Sequence, residues 1–519
     1  MKNIIVPSVF LFLLIISFSG FPQTEENESS ENEIVLPDGI GIANQLEYSY
    51  DIEKKLEILE NWLNVDYNKG IFSAGIRFDL FQPNDPNPAI NRGKVRYADI
   101  AFKYIQAEIG DVDEGMDITV GNFYSVFGRG LILKIYEDRS IRIDNNLLGV
   151  KVVGRYSNLI LTALTGLPES INSVRRDILH AVDLEYKGLE NIRFGGSFAS
   201  NQPDVEGIAR TRMASLRIQP SIWNFDLYAE YGIKQNDDIK QSIFNGSRPI
   251  AGRAFYGSLI FYYENFSLIG EYKLYDNFTF QSNDGTVIYN TPPSVRKEYP
   301  YILLNRHPSP LNQANEKGFQ IEADYSIGDH TFITATFSQT KTLPSNSFYQ
   351  RVSGTNLPLR TQLKEGYFQV NHTWNNFIST TAAMGYREEL DSDTKSLTPI
   401  LENKIYLDDY NTLKLTIEHQ QTTDRTTAEQ YYNDVLQAEY LSAPKLSVSI
   451  VTEVQTKEPD EGRIVRKVWS FLQFGYKLGD HTDLSVLFGS RQAGNICVGG
   501  VCRFEPEFRG VEFKMLTRF

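Results

Sequence analysis

The feature that most constrains this chain is an alternation of period two in which apolar residues take every second place and polar or charged residues fill the gaps. Phe72, Ala74, Ile76, Phe78 and Leu80 share one face of an extended segment, while Ser73, Arg77 and Asp79 share the other. Phe225, Leu227, Ala229 and Tyr231, continuing from Trp223, stand opposite Asn224, Asp226 and Glu230. Val182, Leu184 and Tyr186 alternate with Asp183 and Glu185, and Leu413, Leu415 and Ile417 with Lys414, Thr416 and Glu418. Successive side chains of a strand point to opposite faces, so each segment predicts a strand between an apolar and a polar surrounding. A charge at every second place is tolerable in a wet lumen and costly in lipid.

The connections give a second argument, because short turns and long polar stretches take turns along the chain. Tight turns are expected near Asn68–Gly70, Ser157–Asn158, Gly188–Asn191, Pro220–Ser221, Glu264–Asn265, Gly328–Thr331, Trp374–Asn376, Asp409–Asn411, Ala443–Lys445 and Gly479–Thr482. The long stretches are 82–92, 167–177, 201–208, 235–252, 276–316, 342–363, 388–397, 422–431, 457–463 and 492–507. Short periplasmic turns and long external loops are the pattern of an outer-membrane barrel, whereas a propeller or solenoid repeats at a fixed period. The one local echo, Gly-Asp-His-Thr at 328–331 and 479–482, falls in expected turns both times. The fold class read from this is all-β: a large antiparallel transmembrane β-barrel of about 24 strands, with 22 and 26 as the neighbouring even counts.

Composition agrees. Aromatics are 13% of the chain, yet the mean hydropathy is −0.32, as expected where lipid-facing and lumen-facing residues cancel in any average. A net charge of −14 argues against a broadly basic surface and hence against nucleic acid as a partner. At the start, Lys2 precedes an apolar run from Val9 to Phe18 and small residues at Ser17, Ser19 and Gly20. That is the layout of a cleaved signal peptide, taken as residues 1–23, and it is too short for a transmembrane helix. Residues 24–39 read as an acidic periplasmic tail and 40–519 as a single barrel domain, with no space before the barrel for a plug domain. The last strand carries Val511, Phe513, Met515 and Phe519 on one face, and Phe513, Met515 and Phe519 are read as the signal for the barrel-insertion machinery.

Few residues invite chemistry. Cys497 and Cys502, within Cys-Val-Gly-Gly-Val-Cys, are expected to form a disulfide, because the compartment is oxidising and the count even. A metal site is the weaker reading, since no histidine or third thiol lies nearby. The stretch Gly121 to Gly130 has three glycines, and Arg129, Lys134, Glu137, Asp138, Arg139, Arg142 and Asp144 follow. Opposed charges at a narrow place are how many pores set solute preference. These seven are therefore candidate pore-lining residues, if the segment folds inward; the preferred reading is an ordinary strand–loop–strand with a salt-bridged rim. The loop 276–316 is the rival constriction. The six histidines are scattered, and only His419, beside Glu418, is placed where a barrel hydrolase would need it, without an assignable Ser or Asp partner. No enzyme activity, cofactor or metal is expected.

Two segments carry a resemblance. One is Gly121-Asn122-Phe123-Tyr124 with Phe127-Gly128-Arg129-Gly130-Leu131, Tyr136-Glu137-Asp138-Arg139 and Asp144-Asn145. The other is Cys497 to Arg503 with Pro506-Glu507-Phe508, Gly510-Val511 and the terminal Phe519. Together they resemble an uncharacterised family of exported, porin-like outer-membrane barrels from Bacteroidetes-type bacteria, a resemblance that implies no defined functional residues. The expected function is passive, porin-like diffusion of small solutes across the outer membrane. The alternative is a scaffold or secretion component with a blocked lumen.

Overall fold

The computed structural model describes residues 37–83, 99–139, 143–169, 177–204, 210–236, 250–306, 314–343, 360–389, 392–457, 467–498 and 501–519. The expected signal peptide 1–23, most of the expected acidic tail and the candidate Arg142 lie outside the described residues.

The chain forms 24 long antiparallel strands in one closed sheet. The first five are β1 (Ile40–Asp51), β2 (Leu56–Lys69), β3 (Phe72–Pro83), β4 (Asp99–Gly110) and β5 (Glu114–Phe123). After an interruption come β6 (Leu147–Tyr156), β7 (Leu159–Pro168), β8 (Ile178–Leu189), β9 (Ile192–Gln202), β10 (Thr211–Ile222), β11 (Phe225–Asn236), β12 (Ile250–Tyr263) and β13 (Phe266–Asp276). A second interruption precedes β14 (Glu316–Ile327), β15 (Thr331–Thr342), β16 (Arg360–Asn375), β17 (Ile378–Glu389), β18 (Thr394–Tyr406) and β19 (Asn411–Asp424). The sheet ends with β20 (Gln430–Ser442), β21 (Leu446–Gln455), β22 (Val468–Leu478), β23 (Thr482–Arg491) and β24 (Phe508–Arg518). Each strand pairs with its sequence neighbour, and β24 pairs back onto β1 from Ala43↔Arg518 to Asp51↔Gly510. Phe519 completes the seam: its N–H donates to the Ile42 carbonyl at 2.8 Å, and the Ile42 N–H donates to its carbonyl at 3.1 Å. Closure removes the two free edges that an open sheet would leave unpaired in lipid.

The period-two faces fall as expected. On β8, Val182, Leu184 and Tyr186 face outward and exposed, while Asp183 is buried on the lumen side. On β19, Leu415 and Ile417 face out while Thr416 and Glu418 are buried within. Exposed aromatics gather at the short-turn end: Tyr156, Tyr186, Trp223, Tyr263, Trp374 and Tyr410 all stand within a few residues of a tight turn. Amphipathic rings at one level mark a membrane interface, which puts the short turns on one side of the bilayer and the long loops on the other.

Turn chemistry fixes the registers. Gly328 and Gly479, the heads of the repeated Gly-Asp-His-Thr, both take positive φ (+57° and +60°) in matching tight turns. One expected turn is misplaced: Pro220–Ser221 lies inside β10, and the chain reverses at Trp223–Asn224. Pro220 has no N–H to give, and it sits where the β10–β11 ladder skips from Ile218↔Ala229 to Ser221↔Asp226, so the strand tolerates it there. A tight turn not anticipated from the sequence follows β4 at Asp111–Asp113, entered through Gly110 at φ +87°. In the last external loop, Gly494–Val498 and Val501–Glu505 form a two-stranded hairpin whose backbone register sets Cys497 directly opposite Cys502.

Candidate functional site: two loops folded into the lumen

A barrel of this strand number is wider than side chains alone can fill. Two external segments enter that space. The first leaves β5 at Phe123 and re-enters β6 at Leu147, residues that are direct register partners. Its tip is a tight reversal at Gly128 (φ +52°) and Gly130 (φ +82°), where the Gly130 N–H donates to the Phe127 carbonyl at 2.9 Å. A side chain at Gly128 would collide with the Glu230 carboxylate and the Tyr228 hydroxyl of β11 at 2.9 Å each. The glycines therefore let the backbone lie against the inner wall. Leu131, Ile132, Leu133 and Ile135 follow, all fully buried.

The inward reading of this segment is thus the one realised, and the preferred strand–loop–strand reading is corrected. The reason is visible in the wall it packs on. At their external ends β7 to β10 present Leu164, Leu179, Ala181, Ala199 and Met213 to the lumen, and these join Leu131 in one apolar cluster. Apolar side chains on a wet inner face would go unburied; covering them with an equally apolar segment removes both surfaces from water. A signal was available in β8, where Ile178 and Leu179 break the alternation and Ala181 stands where a charge would be expected.

The second segment, described over 277–306, is fastened to the first. The Lys134 N–H donates to the Tyr289 carbonyl at 2.7 Å, and Asn145 Nδ2 to the Ile288 carbonyl at 3.0 Å. Asn290, buried at 3% exposure, is the central knot. Its Nδ2 donates to the Leu131 carbonyl at 3.1 Å and the Phe278 carbonyl at 2.9 Å, while its Oδ1 accepts from the Phe280 N–H at 2.8 Å. The elements that enter the lumen are thus made from the barrel's own loops.

The chain then runs along the inner wall towards β21, its cations meeting wall carboxylates in turn. Lys273 and Glu316, at the loop's two bases, pair at 2.5 Å with almost no exposure, and Lys273 also donates to the Ser294 carbonyl. Arg296 pairs with Glu365 at 3.3 Å, Lys297 with Glu322, and Arg306 with Glu453. Between them a short helix, α1 (Ile302–Asn305), begins on Glu418, whose carboxylate accepts from the Ile302 and Leu303 N–H groups at 2.9 and 2.8 Å. Arg387 donates to the Leu304 carbonyl at its end. Buried pairs of this kind add little net stability, since desolvation offsets attraction, but breaking one partner is expensive. Their consequence is a fixed path for the loop.

The candidate residues of the first segment divide into groups. Arg129 lies over Tyr228, 4.7 Å from the ring centroid, and donates to Tyr256 Oη at 3.3 Å. Lys134 lies 4.6 Å from the centroid of Tyr136, and burial holds its ammonium below the usual lysine range despite Asp138 nearby. Glu137, Arg139 and Asp144 come together around a residue not singled out beforehand, Arg77 of β3. Arg77 pairs with Glu137 at 2.8 Å, Asp144 at 2.5 Å and Asp79 at 3.2 Å, and Arg139 with Glu137 at 2.8 Å. Burial pushes the Asp144 carboxyl up, but Arg77 and the hydrogen bonds from Asn146 and Tyr124 outweigh it and hold it below the usual carboxylate range. Asp138 lies within electrostatic reach of Lys134.

His419 and Glu418 turn out to face opposite sides of the wall. His419 Nδ1 lies 2.6 Å from Asp434 Oδ1 with its ring stacked on Tyr432, outside the barrel, while Glu418 holds α1 within. Among the described residues, no group of three or more His, Cys, Asp or Glu side chains could hold a metal ion.

Among solved structures the chain is similar to outer-membrane barrels at low identity. The P pilus usher (PapC) translocation pore matches at 9% identity and a TM-score of 0.47, covering 92% of this chain and 99% of that one. The copper transporter OprC matches at 10% and 0.44, covering 93% and 80%. The outer-membrane protein OpdK of Pseudomonas aeruginosa matches at 12% and 0.38, covering 74% and 98%. No curated protein matches the sequence. Over residues 1–519 the sequence matches the Family of unknown function (DUF6029), and the chain belongs to that family.

Proposed function

We propose that this protein is an outer-membrane channel for small solutes in which segments 124–146 and 277–306 set the passage. The observation that carries the reading is that both segments are tethered to the barrel at each end, cross-linked to one another through Asn290, and studded with charge. A fixed, charged narrowing within a wide barrel selects small solutes by size and sign. Arg129, Lys134, Glu137, Asp138, Arg139, Arg142 and Asp144 are its pore-lining candidates. Residues 1–23 act as the cleaved export signal, Phe513, Met515 and Phe519 as the assembly signal, and Cys497–Cys502 as a disulfide stiffening an external hairpin. No catalysis is assigned.

The test is planar-bilayer conductance of the refolded mature protein, beside Arg129→Ala, Asp138→Ala and a variant with 279–292 replaced by a Gly-Ser linker. Discrete steps are expected, larger in the linker variant and altered in ion selectivity by the point changes. The apolar cluster around Leu131 favours a second reading, a scaffold whose lumen is sealed. Silence from folded wild type, with stoichiometric protein partners on purification, would replace the channel by that scaffold.

A further inference from the structure

Within the lumen, Arg77, Arg217, Lys273 and Arg387 each pair with a carboxylate. The outer surface of β14 to β18 is arranged differently. Lys317, Lys341, Lys364 and Lys395 share the outward parity of Phe319, Phe337, Phe368 and Leu397 on their own strands. All four lie towards the external ends of those strands. Lys317 and Lys341 are direct cross-strand partners. Lys364 and Lys395 flank β17, both in register with Glu388, and their ammonium groups lie 6.0 and 5.4 Å from the centroid of Tyr386. Tyr386 Oη donates to Glu388, the one carboxylate in the row. Lys364 and Lys395 both act electrostatically on Glu388, whereas among the described residues no carboxylate lies within ion-pair distance of Lys317 or Lys341.

Their height in the membrane follows from the strand. Lys364 stands ten residues along β16 from Trp374, an exposed ring of the same outward parity at the short-turn interface. At about 3.4 Å per residue and a tilt of about 40°, that places it roughly 26 Å away along the membrane normal, close to the ~25 Å height of an apolar band. Lys341 stands two residues beyond Gln339, the register partner of Lys364, which gives a similar level. The row is therefore at the headgroup level of the outer leaflet, and exposed Phe337, Phe368 and Met384 beneath it face the hydrocarbon. Like charges set directly opposite on neighbouring strands destabilise a sheet unless an anion lies between them. The chain as a whole is strongly acidic, so a cationic row on its lipid-facing side is not a by-product of composition.

We infer that this row is a binding site for a phosphorylated lipid headgroup of the outer leaflet, with Lys317 and Lys341 clamping a phosphate and Lys364 and Lys395 adding positive potential beside it. Phosphate monoesters supply the charge and acceptor oxygens that ammonium groups at this level lack. The acyl chains of the same lipid would lie over Phe337, Phe368 and Met384. This site is independent of whether the lumen conducts.

The experiment measures binding of bisphosphorylated lipid A, and of the same lipid stripped of phosphate, to detergent-solubilised full-length mature barrel by native mass spectrometry. The variant is Lys317→Gln, Lys341→Gln, Lys364→Gln and Lys395→Gln together. The control carries the same charge change at the short-turn end, through Lys69→Gln, Lys187→Gln, Lys445→Gln and Lys477→Gln. Affinity for the phosphorylated lipid should fall roughly fivefold per lysine removed from the row, and little in the control. Phosphate-free lipid should bind all three proteins weakly and alike. Equal binding by wild type and row variant, or no preference for phosphate, overturns the site. Should the fourfold variant fail to fold, Lys341→Gln alone decides: without lipid its thermal midpoint should match or exceed wild type, and lipid A should raise that midpoint less. An equal lipid-induced rise in both proteins also overturns the proposal.

Discussion

Replacing Asn290 by Ala should loosen the lumen segments while leaving the barrel wall intact. Asn290→Ala removes three hydrogen bonds, to the Leu131 and Phe278 carbonyls and from the Phe280 N–H. Leu131, Phe278 and Phe280 are fully buried, so the backbone groups left behind find no water. Each orphaned buried group costs about 1–3 kcal/mol, and local relaxation makes the three less than additive, so a total of about 3–4 kcal/mol is expected. At tenfold per 1.4 kcal/mol, the opening equilibrium of the segments rises roughly a hundredfold to a thousandfold. The wall ladders share none of these bonds, so the change should stay local. Hydrogen–deuterium exchange read by mass spectrometry follows peptides spanning 125–135 and 278–290 against strand peptides. Both lumen peptides should lose protection together, because the one side chain ties them. Unchanged exchange in folded Asn290→Ala protein would show that the segments are held independently, and exchange spreading through β11–β14 would show that they brace the wall.

Other expectations test other parts of the molecule. Asp144, with its carboxyl held low by Arg77, stabilises the first segment above its unfolded value near 3.9, and that contribution is lost as pH falls through the lowered folded value. Protection at residues 143–146, taken relative to the intrinsic exchange rate at each pH, should therefore be flat from neutral pH down to about 4 and fall in stronger acid, and Asp144→Asn should abolish the acid step. Cys497 and Cys502, opposed in a hairpin of the external loops, should take up iodoacetamide only after reduction; labelling of untreated protein refutes the disulfide. Deleting Phe519 removes the seam bonds to Ile42 and the terminal aromatic, so the heat-modifiable, folded fraction in the outer membrane should drop several-fold. An undiminished fraction would place the assembly signal elsewhere.

Most of the wall was legible in the sequence because its rule is local. Whether Asp183 or Val182 faces lipid depends only on parity along one strand, and hairpin order depends on neighbouring turns. Errors came where a local cue misled or was passed over: Pro220 marks a gap in one ladder rather than a turn, and Gly110 leads into the unanticipated turn at Asp111–Asp113. The lumen was only half legible. The glycines and charges of 121–144 marked that segment as unusual, but its destination depends on Leu164, Leu179 and Met213, which come from three other strands. Likewise Arg77 read as an ordinary lumen-facing charge of β3, and only the fold brings Glu137 and Asp144 to it.

By itself, then, the sequence determined a closed antiparallel barrel, its strand parity, and the division into short turns and long loops, since each follows from period two and from turn residues near in the chain. Tertiary structure alone decided that two of those loops turn inward, that Asn290 knots them together, and that Glu418 and His419 part company across the wall. The physical reason is that lumen contacts join residues whose separation in sequence bears no relation to their position around a closed sheet. No periodicity records which apolar faces will find each other there.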